Sequence, residues 1–310
     1  MQTILGAGGP IGTELARALR EYTSRIRLVS RKPEKVNPED ELFPADLRKW
    51  PQVKEAVKGS EVVYLTAGLP YKYRRWKKDW PVIVRNVIKA CEKHDCKLVF
   101  FDNVYMYSRD SMGHMTEKSM VDPPSKKGRI RAEIAEMIMK EVWTENLQAL
   151  IARSADFYGP GIEQNSILIE TVFKPIKKNK RAMWLGNANC KHSFTFTPDA
   201  AKATAFLGNK EEAYGQVWHL PTAQNPPTGK QWVEYVGKEM NAKTDLWEVP
   251  KWMVRILGIF MPVMRETVEM MYQYNRNYVF DSSKIEEQFG LKPTSYKMGI
   301  REIVKQDFKN

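Results

Sequence analysis

A chain of 310 residues, 43% hydrophobic and 11% aromatic, can bury a large core, which excludes a disordered or low-complexity protein. Its formal net charge of +12 favours anionic partners, whether nucleotide phosphates, acidic metabolites, nucleic acid or anionic lipid. Three cysteines, Cys91, Cys96 and Cys190, are odd in number and lack metal-ligand spacing, so they read as reduced thiols of a cytoplasmic protein with no metal site.

In chain order, strands are expected at 3–5, 26–29, 61–66, 98–101 and 149–152, and helices near 11–21, 53–58, 81–94 and 129–143. Such alternation predicts an α/β fold, a doubly wound parallel sheet with right-handed crossovers. The first strand begins at once, which leaves no room ahead of it for a targeting segment. Beyond Tyr158-Gly159-Pro160-Gly161 a helix is expected near 167–177, strands at 182–185 and 192–197, a helix opening at Pro198-Asp199, and a strand at 216–220. From Pro221 onward helices dominate and prolines are frequent. The expected organisation is a nucleotide-binding domain over 1–160, with returning segments near 190–220, and a smaller, mainly helical substrate lobe over 161–190 and 221–310.

Two stretches stand out by composition. Arg74-Arg75-Trp76-Lys77-Lys78 lies among Tyr71, Tyr73 and Trp80, which resembles a nucleic-acid platform. The segment runs into a helix in which aromatics pack, so solvated charge over a packed face is expected instead, and nucleic acid is not an expected partner. The segment from Val249 to Met261 is apolar on nearly every face, as for a helix packed in the lobe's core, roofing an apolar pocket or making a homodimer contact. It falls short of the ~20 apolar residues that a membrane span needs.

Glycines Gly6, Gly9 and Gly12, with Gly8, Pro10 and Ile11 between them, follow the first strand and open a helix. Gly6 permits a tight turn, Gly9 lets the backbone approach a pyrophosphate, and Gly12 lets helix and strand pack closely, with the helix N-terminus facing the phosphates. An acidic residue ending the second strand would bond the ribose 2′-hydroxyl of NAD. Ser30, Arg31 and Lys32 stand there instead, and a hydroxyl with a guanidinium suits a 2′-phosphate. The expected cofactor is NADP(H) in preference to NAD(H).

From these residues the chain resembles the short-chain dehydrogenase/reductase superfamily, in its extended epimerase/dehydratase branch, with a Rossmann-type fold. The resemblance implies adenine contact by Asp46 and Leu47, and a ribose border at Thr66-Ala67-Gly68. It places the active-site turn at Asp102-Asn103-Val104-Tyr105-Met106-Tyr107, and an R-x-x-N-V-Y-G-P-G-like stretch from Arg153 to Gly161. Leu69, Tyr71, Asp156 and His192 fall at substrate-facing positions. Asp156 stands where the family has an amide, which adds a charge and implies a substrate unlike ordinary nucleotide sugars. His192, beside the strand that leads to Asp199, suits an anionic or carbonyl group.

The chain departs from the family at its catalytic Tyr-x-x-x-Lys pair. Alignment on the motifs places Asn103 at the Ser/Thr position, Lys127 at the Tyr position and Arg131 at the Lys position. Lys127 would then serve as general acid or base, Arg131 would hold the nicotinamide ribose, Asn103 would hydrogen-bond a carbonyl oxygen, and Tyr105 would supply the missing phenol. The expectation is an atypical NADP(H)-dependent oxidoreductase acting on a small carbonyl-type substrate. Two alternatives remain open: a catalytically silent NADP(H) sensor or regulatory module, and a sugar epimerase or dehydratase.

Overall fold

The computed structural model describes residues 1–162 and 166–308. Two compact units emerge, one of Met1–Met106, Lys127–Ser154 and Ala200–Leu220, the other of Tyr107–Lys126, Ala155–Asp199 and Pro221–Asn310. These boundaries differ from the sequence expectation. Residues 107–126 and 155–160 leave the first domain because their pairings lie in the second unit: Tyr107 with Val121, Met115 with Phe280, and the 156–158 strand with 194–196. The second unit is no smaller than the first.

The first unit runs β1 (Gln2–Leu5), α1 (Pro10–Ala18), β2 (Ile26–Ser30), β3 (Glu41–Pro44), α2 (Trp50–Val57), β4 (Val62–Leu65), α3 (Tyr73–His94), β5 (Lys97–Asp102), α4 (Lys126–Trp143) and β6 (Ala149–Arg153). The chain then forms β7 (Asp156–Tyr158), α5 (Lys174–Lys177), β8 (Ala182–Leu185) and β9 (Phe194–Phe196), before α6 (Thr197–Gly208) leads back to β10 (Val217–His219). Seven strands pair in the order β10-β6-β5-β4-β1-β2-β3, every neighbour parallel. β1, β4 and β6 are buried at every residue, as expected of a parallel sheet covered on both faces. The expected doubly wound α/β architecture is what the chain adopts.

Two elements depart from expectation. β3 was not foreseen, because Glu-Leu-Phe-Pro neither alternates nor is buried. α3 begins at Tyr73 rather than at Pro81, so the proline that marked a helix start sits inside the helix. Pro81 has no N–H to return to the preceding turn. Trp76, Trp80, Ile83, Val84 and Val87 are buried along α3, and this packing carries the helix through the proline.

The second unit adds α7 (Gly229–Glu239), β11 (Leu246–Val249), α8 (Lys251–Phe260), α9 (Pro262–Thr267), α10 (Ser283–Phe289) and α11 (Tyr296–Asp307). Besides these helices it holds two small parallel pairs, β7 with β9 and β8 with β11. Its core is aromatic: the Tyr158 ring meets Phe196 at 5.3 Å and Trp232 at 5.4 Å, and Trp232 meets Tyr296 at 4.9 Å. Thr228 and Gln231 start α7 with a reciprocal capping box. The apolar segment near 250 does not pack all round as a core helix would. α8 buries only Val254 and Gly258, while Ile259 and Phe260 are 76% and 80% exposed.

Candidate functional site

In the first unit the strand order reverses between β1 and β4, and the loops leaving their C-terminal ends flank this switch point, the place where open α/β sheets bind ligands. The loop between β1 and α1 depends on its glycines for different reasons. Gly6 and Gly8 hold φ of 109° and 92°, a region that side chains disfavour. A Cβ on Gly6 would lie 2.4 Å from the Cα of Ala67, and one on Gly12 would lie 2.9 Å from the Gly6 carbonyl oxygen. Gly8 faces open space, and Gly9 precedes Pro10 at the start of α1 without any side chain capping the helix. The loop is therefore pressed against Thr66-Ala67-Gly68 on one side and bare on the other. Beneath it the Thr66 hydroxyl is buried with no hydrogen-bond partner among the described residues.

At the end of β2, the Ser30 Oγ accepts the backbone N–H of Lys32 at 3.2 Å, while Arg31 and Lys32 are exposed. Asp46 is engaged already: Arg48 donates Nε to its Oδ1 at 2.8 Å, and the Arg48 hydrogen bond holds the Asp46 carboxyl at about 2, below the usual carboxylate value. The backbone carbonyl of the neighbouring Leu47 accepts Nδ2 of Asn86 at 3.0 Å.

The residues assigned to catalysis gather around one aromatic group in the first unit. The Trp76 ring stacks on Tyr105 at 6.3 Å and meets Tyr71 edge-on at 5.7 Å. Lys127 is fully buried at the start of α4, with Nζ 4.6 Å from the centre of the Tyr71 ring, a cation–π contact. Tyr71, expected at the substrate, thus packs on the expected proton carrier, and Leu69 packs against the same core. Trp76 was missed because a basic run surrounds it. Burial of Trp76 and Trp80 also removes the ring faces that a nucleic-acid platform would need.

Asn103 shapes the turn after β5: its Oδ1 accepts the Tyr105 N–H at 3.0 Å. Arg131, expected at a ribose, is engaged by the protein itself. Its Nε donates to Asp102 Oδ1 at 2.7 Å, and the guanidinium lies 4.7 Å from the Trp80 ring centre and 4.9 Å from that of Phe100. Arg153 donates to the other oxygen of Asp102 at 3.3 Å, and Oδ1 also accepts the Asn103 N–H at 2.8 Å. A buried carboxylate thus lies between two guanidiniums, and it ties down the turn that carries Asn103 and Tyr105. The sequence signal was present in the pairing of β5 with β6, whose register sets Asp102 opposite Arg153.

The second unit holds a cluster of its own. Register of β7 against β9 pairs Asp156 with Phe194, two residues from His192. His192 Nε2 lies 3.0 Å from Asp156 Oδ2, which also accepts the Tyr274 hydroxyl at 3.1 Å. The imidazole lies parallel to Tyr274 and to Tyr278, with centroids at 5.0 and 4.2 Å. Expected as two separate substrate contacts, Asp156 and His192 are one hydrogen-bonded pair, and the two tyrosines beside them were missed. A cavity of about 440 Å³ near Glu61, Lys97 and Gln148 lies where β4, β5 and β6 begin, away from the loops at their far ends.

The profile of the NAD dependent epimerase/dehydratase family matches residues 3–220. No curated protein sequence matches the chain. Among solved structures, UDP-glucose 4-epimerase from Thermus thermophilus, in complex with NAD, superposes with a TM-score of 0.80 at 15% identity, covering 99% of this chain and 98% of that one. The dTDP-glucose 4,6-dehydratase DesIV from Streptomyces venezuelae, solved with NAD bound, gives 0.79 at 15% identity over 100% and 97%. UDP-N-acetylglucosamine 4-epimerase from Bacillus cereus gives 0.78 at 15% over 100% and 96%. At such identities the structures speak for the fold alone, and the profile speaks for the family. The chain belongs to the NAD dependent epimerase/dehydratase family.

Proposed function

We propose that this chain is an NADP(H)-dependent oxidoreductase acting on a small carbonyl-type substrate, in the cytoplasm. The observation that carries the reading is the loop from Gly6 to Gly12. Its one side is closed by Ala67, and its other side leaves backbone N–H groups and an uncapped helix start for a diphosphate. Arg31 and Lys32, exposed past Ser30, have the chemistry for a 2′-phosphate. The Thr66 hydroxyl, unpartnered beneath the loop, supports a ligand at this place.

When bound, NADPH supplies a hydride to the carbonyl carbon. The roles of the chain's own groups follow from their chemistry. Asn103 spends its Oδ1 on the Tyr105 N–H, which leaves its Nδ2 to donate to the substrate oxygen. Lys127 delivers the proton to that oxygen, with Tyr105 as the phenol beside it and the Tyr71 ring holding the ammonium in place. Arg131 positions rather than binds: through Asp102 it steadies the turn of Asn103. In the second unit, Asp156 and His192 form a hydrogen-bonded pair whose chemistry suits a polar group.

The test is a comparison of NADPH and NADH affinity in the purified protein, followed by turnover. The parent should prefer NADPH, and Arg31→Ala should abolish that preference. Lys127→Met should lower kcat by about 10²–10⁴-fold while leaving NADPH affinity unchanged. Equal affinity for the two nucleotides would overturn the cofactor assignment; undiminished turnover in Lys127→Met would overturn its catalytic role.

A second reading, a sugar epimerase or dehydratase, is favoured by the family match. It predicts a tightly held nucleotide that survives purification and returns to its starting redox state in each turnover.

A further inference from the structure

We infer that α8 is a docking surface for an anionic lipid headgroup layer, and that the protein binds reversibly to membrane surfaces through it. The helix turns its apolar side outward. Trp252, Ile256, Ile259 and Phe260 are all exposed, from 50% to 80%, and at about 100° per residue they fall within roughly 100° of the helix circumference. Val254 and Gly258 occupy the opposite side and are buried. Met261 and Val263 continue the exposed apolar surface where α9 begins.

Charge identifies the occupant. Arg255 projects beside the apolar arc, Lys251 is exposed at the first residue of the helix, and Arg265 follows on α9, also exposed. The nearby acidic groups do not neutralise this edge from α8 itself, which carries none. Glu248 accepts the Ala188 N–H, Glu269 accepts the Lys126 N–H, and Glu266 is half-buried. The whole chain adds a net charge of +12. A protein partner would need only the apolar ridge, whereas a ridge of Trp, Ile and Phe edged by Lys and Arg matches the acyl boundary and the phosphates of an anionic leaflet together. Ten residues span about 15 Å, so the helix lies in the interface and does not cross it. No helix among the described residues is long and apolar enough to do so.

Flotation of the purified protein with phosphatidylcholine vesicles containing roughly a third phosphatidylglycerol tests this. The parent should float with these vesicles and bind phosphatidylcholine alone at least about tenfold more weakly. An Ile259→Asp, Phe260→Asp variant should stay behind, with circular dichroism and thermal midpoint unchanged to show that it folds. Lys251→Gln with Arg255→Gln should weaken binding to anionic vesicles by about tenfold or more and leave binding to neutral ones unchanged. The inference is overturned if the parent ignores both kinds of vesicle, or if the aspartate variant floats as the parent does. It is equally overturned if the parent sediments as a dimer that this variant dissociates while neither binds vesicles, since the occupant is then a second copy.

Discussion

Removing the Asp102 side chain would take the shared carboxylate from two buried guanidiniums, those of Arg131 and Arg153. Breaking such a buried arrangement by deleting one partner costs about 3–5 kcal/mol, so Asp102→Ala should lower the urea midpoint by a corresponding amount. Asp46 is a milder case at the surface of the same unit. Its carboxyl is held at about 2 by Arg48, below its unfolded value of 3.8. A depressed carboxylate contributes stability that is fully present above about pH 4 and fades as the pH falls toward 2. The pair is partly exposed and its contribution stays below about 1 kcal/mol. Urea midpoints of the parent and Asp46→Asn should therefore differ slightly at pH 7 and converge only as the pH falls to about 2. A gap that widens on acidification would contradict this.

The loop between β1 and α1 is the element on which the proposed cofactor binding rests. Gly6→Ala places a methyl group 2.4 Å from the Ala67 backbone, at a φ that costs a side chain of order 1–3 kcal/mol. The loop must then move, and NADPH binding should fall by at least about tenfold, even if the rest of the fold survives as judged by circular dichroism. This element was legible from residues alone, because glycine spacing, the strand before and the helix after agree on one backbone path. Other elements were not. Pro81 reads locally as a helix start, and only the burial of Trp76 and Trp80 explains why α3 passes through it. β3 has no buried residue to announce it and exists through its pairing with β2. The apolar pattern of α8 was visible, but whether such a pattern turns inward or outward is decided by tertiary packing, not by periodicity.

Across the whole chain, the order of strands and helices followed from alternation, whereas the partition into units did not. Residues 107–126 sit between β5 and α4 in sequence, and nothing in their composition tells that Tyr107 pairs with Val121, and Met115 with Phe280, rather than with the sheet. The same limit applied to the site. Lys127, Asn103 and Tyr105 were chosen by their motif positions, whereas the contacts of Asp102 and Trp76 in the first unit, and of Tyr274 and Tyr278 in the second, join residues distant in sequence.

β3 forms one margin of the seven-stranded sheet, and a margin of that kind is where a neighbouring molecule could add a strand. Here Pro44 removes a backbone donor, Glu41 brings a charge, and the strand spans only four residues. Growth of the sheet from one copy into the next is thereby discouraged. Self-association across this margin has to rely on side-chain surfaces and not on a shared ladder of backbone hydrogen bonds.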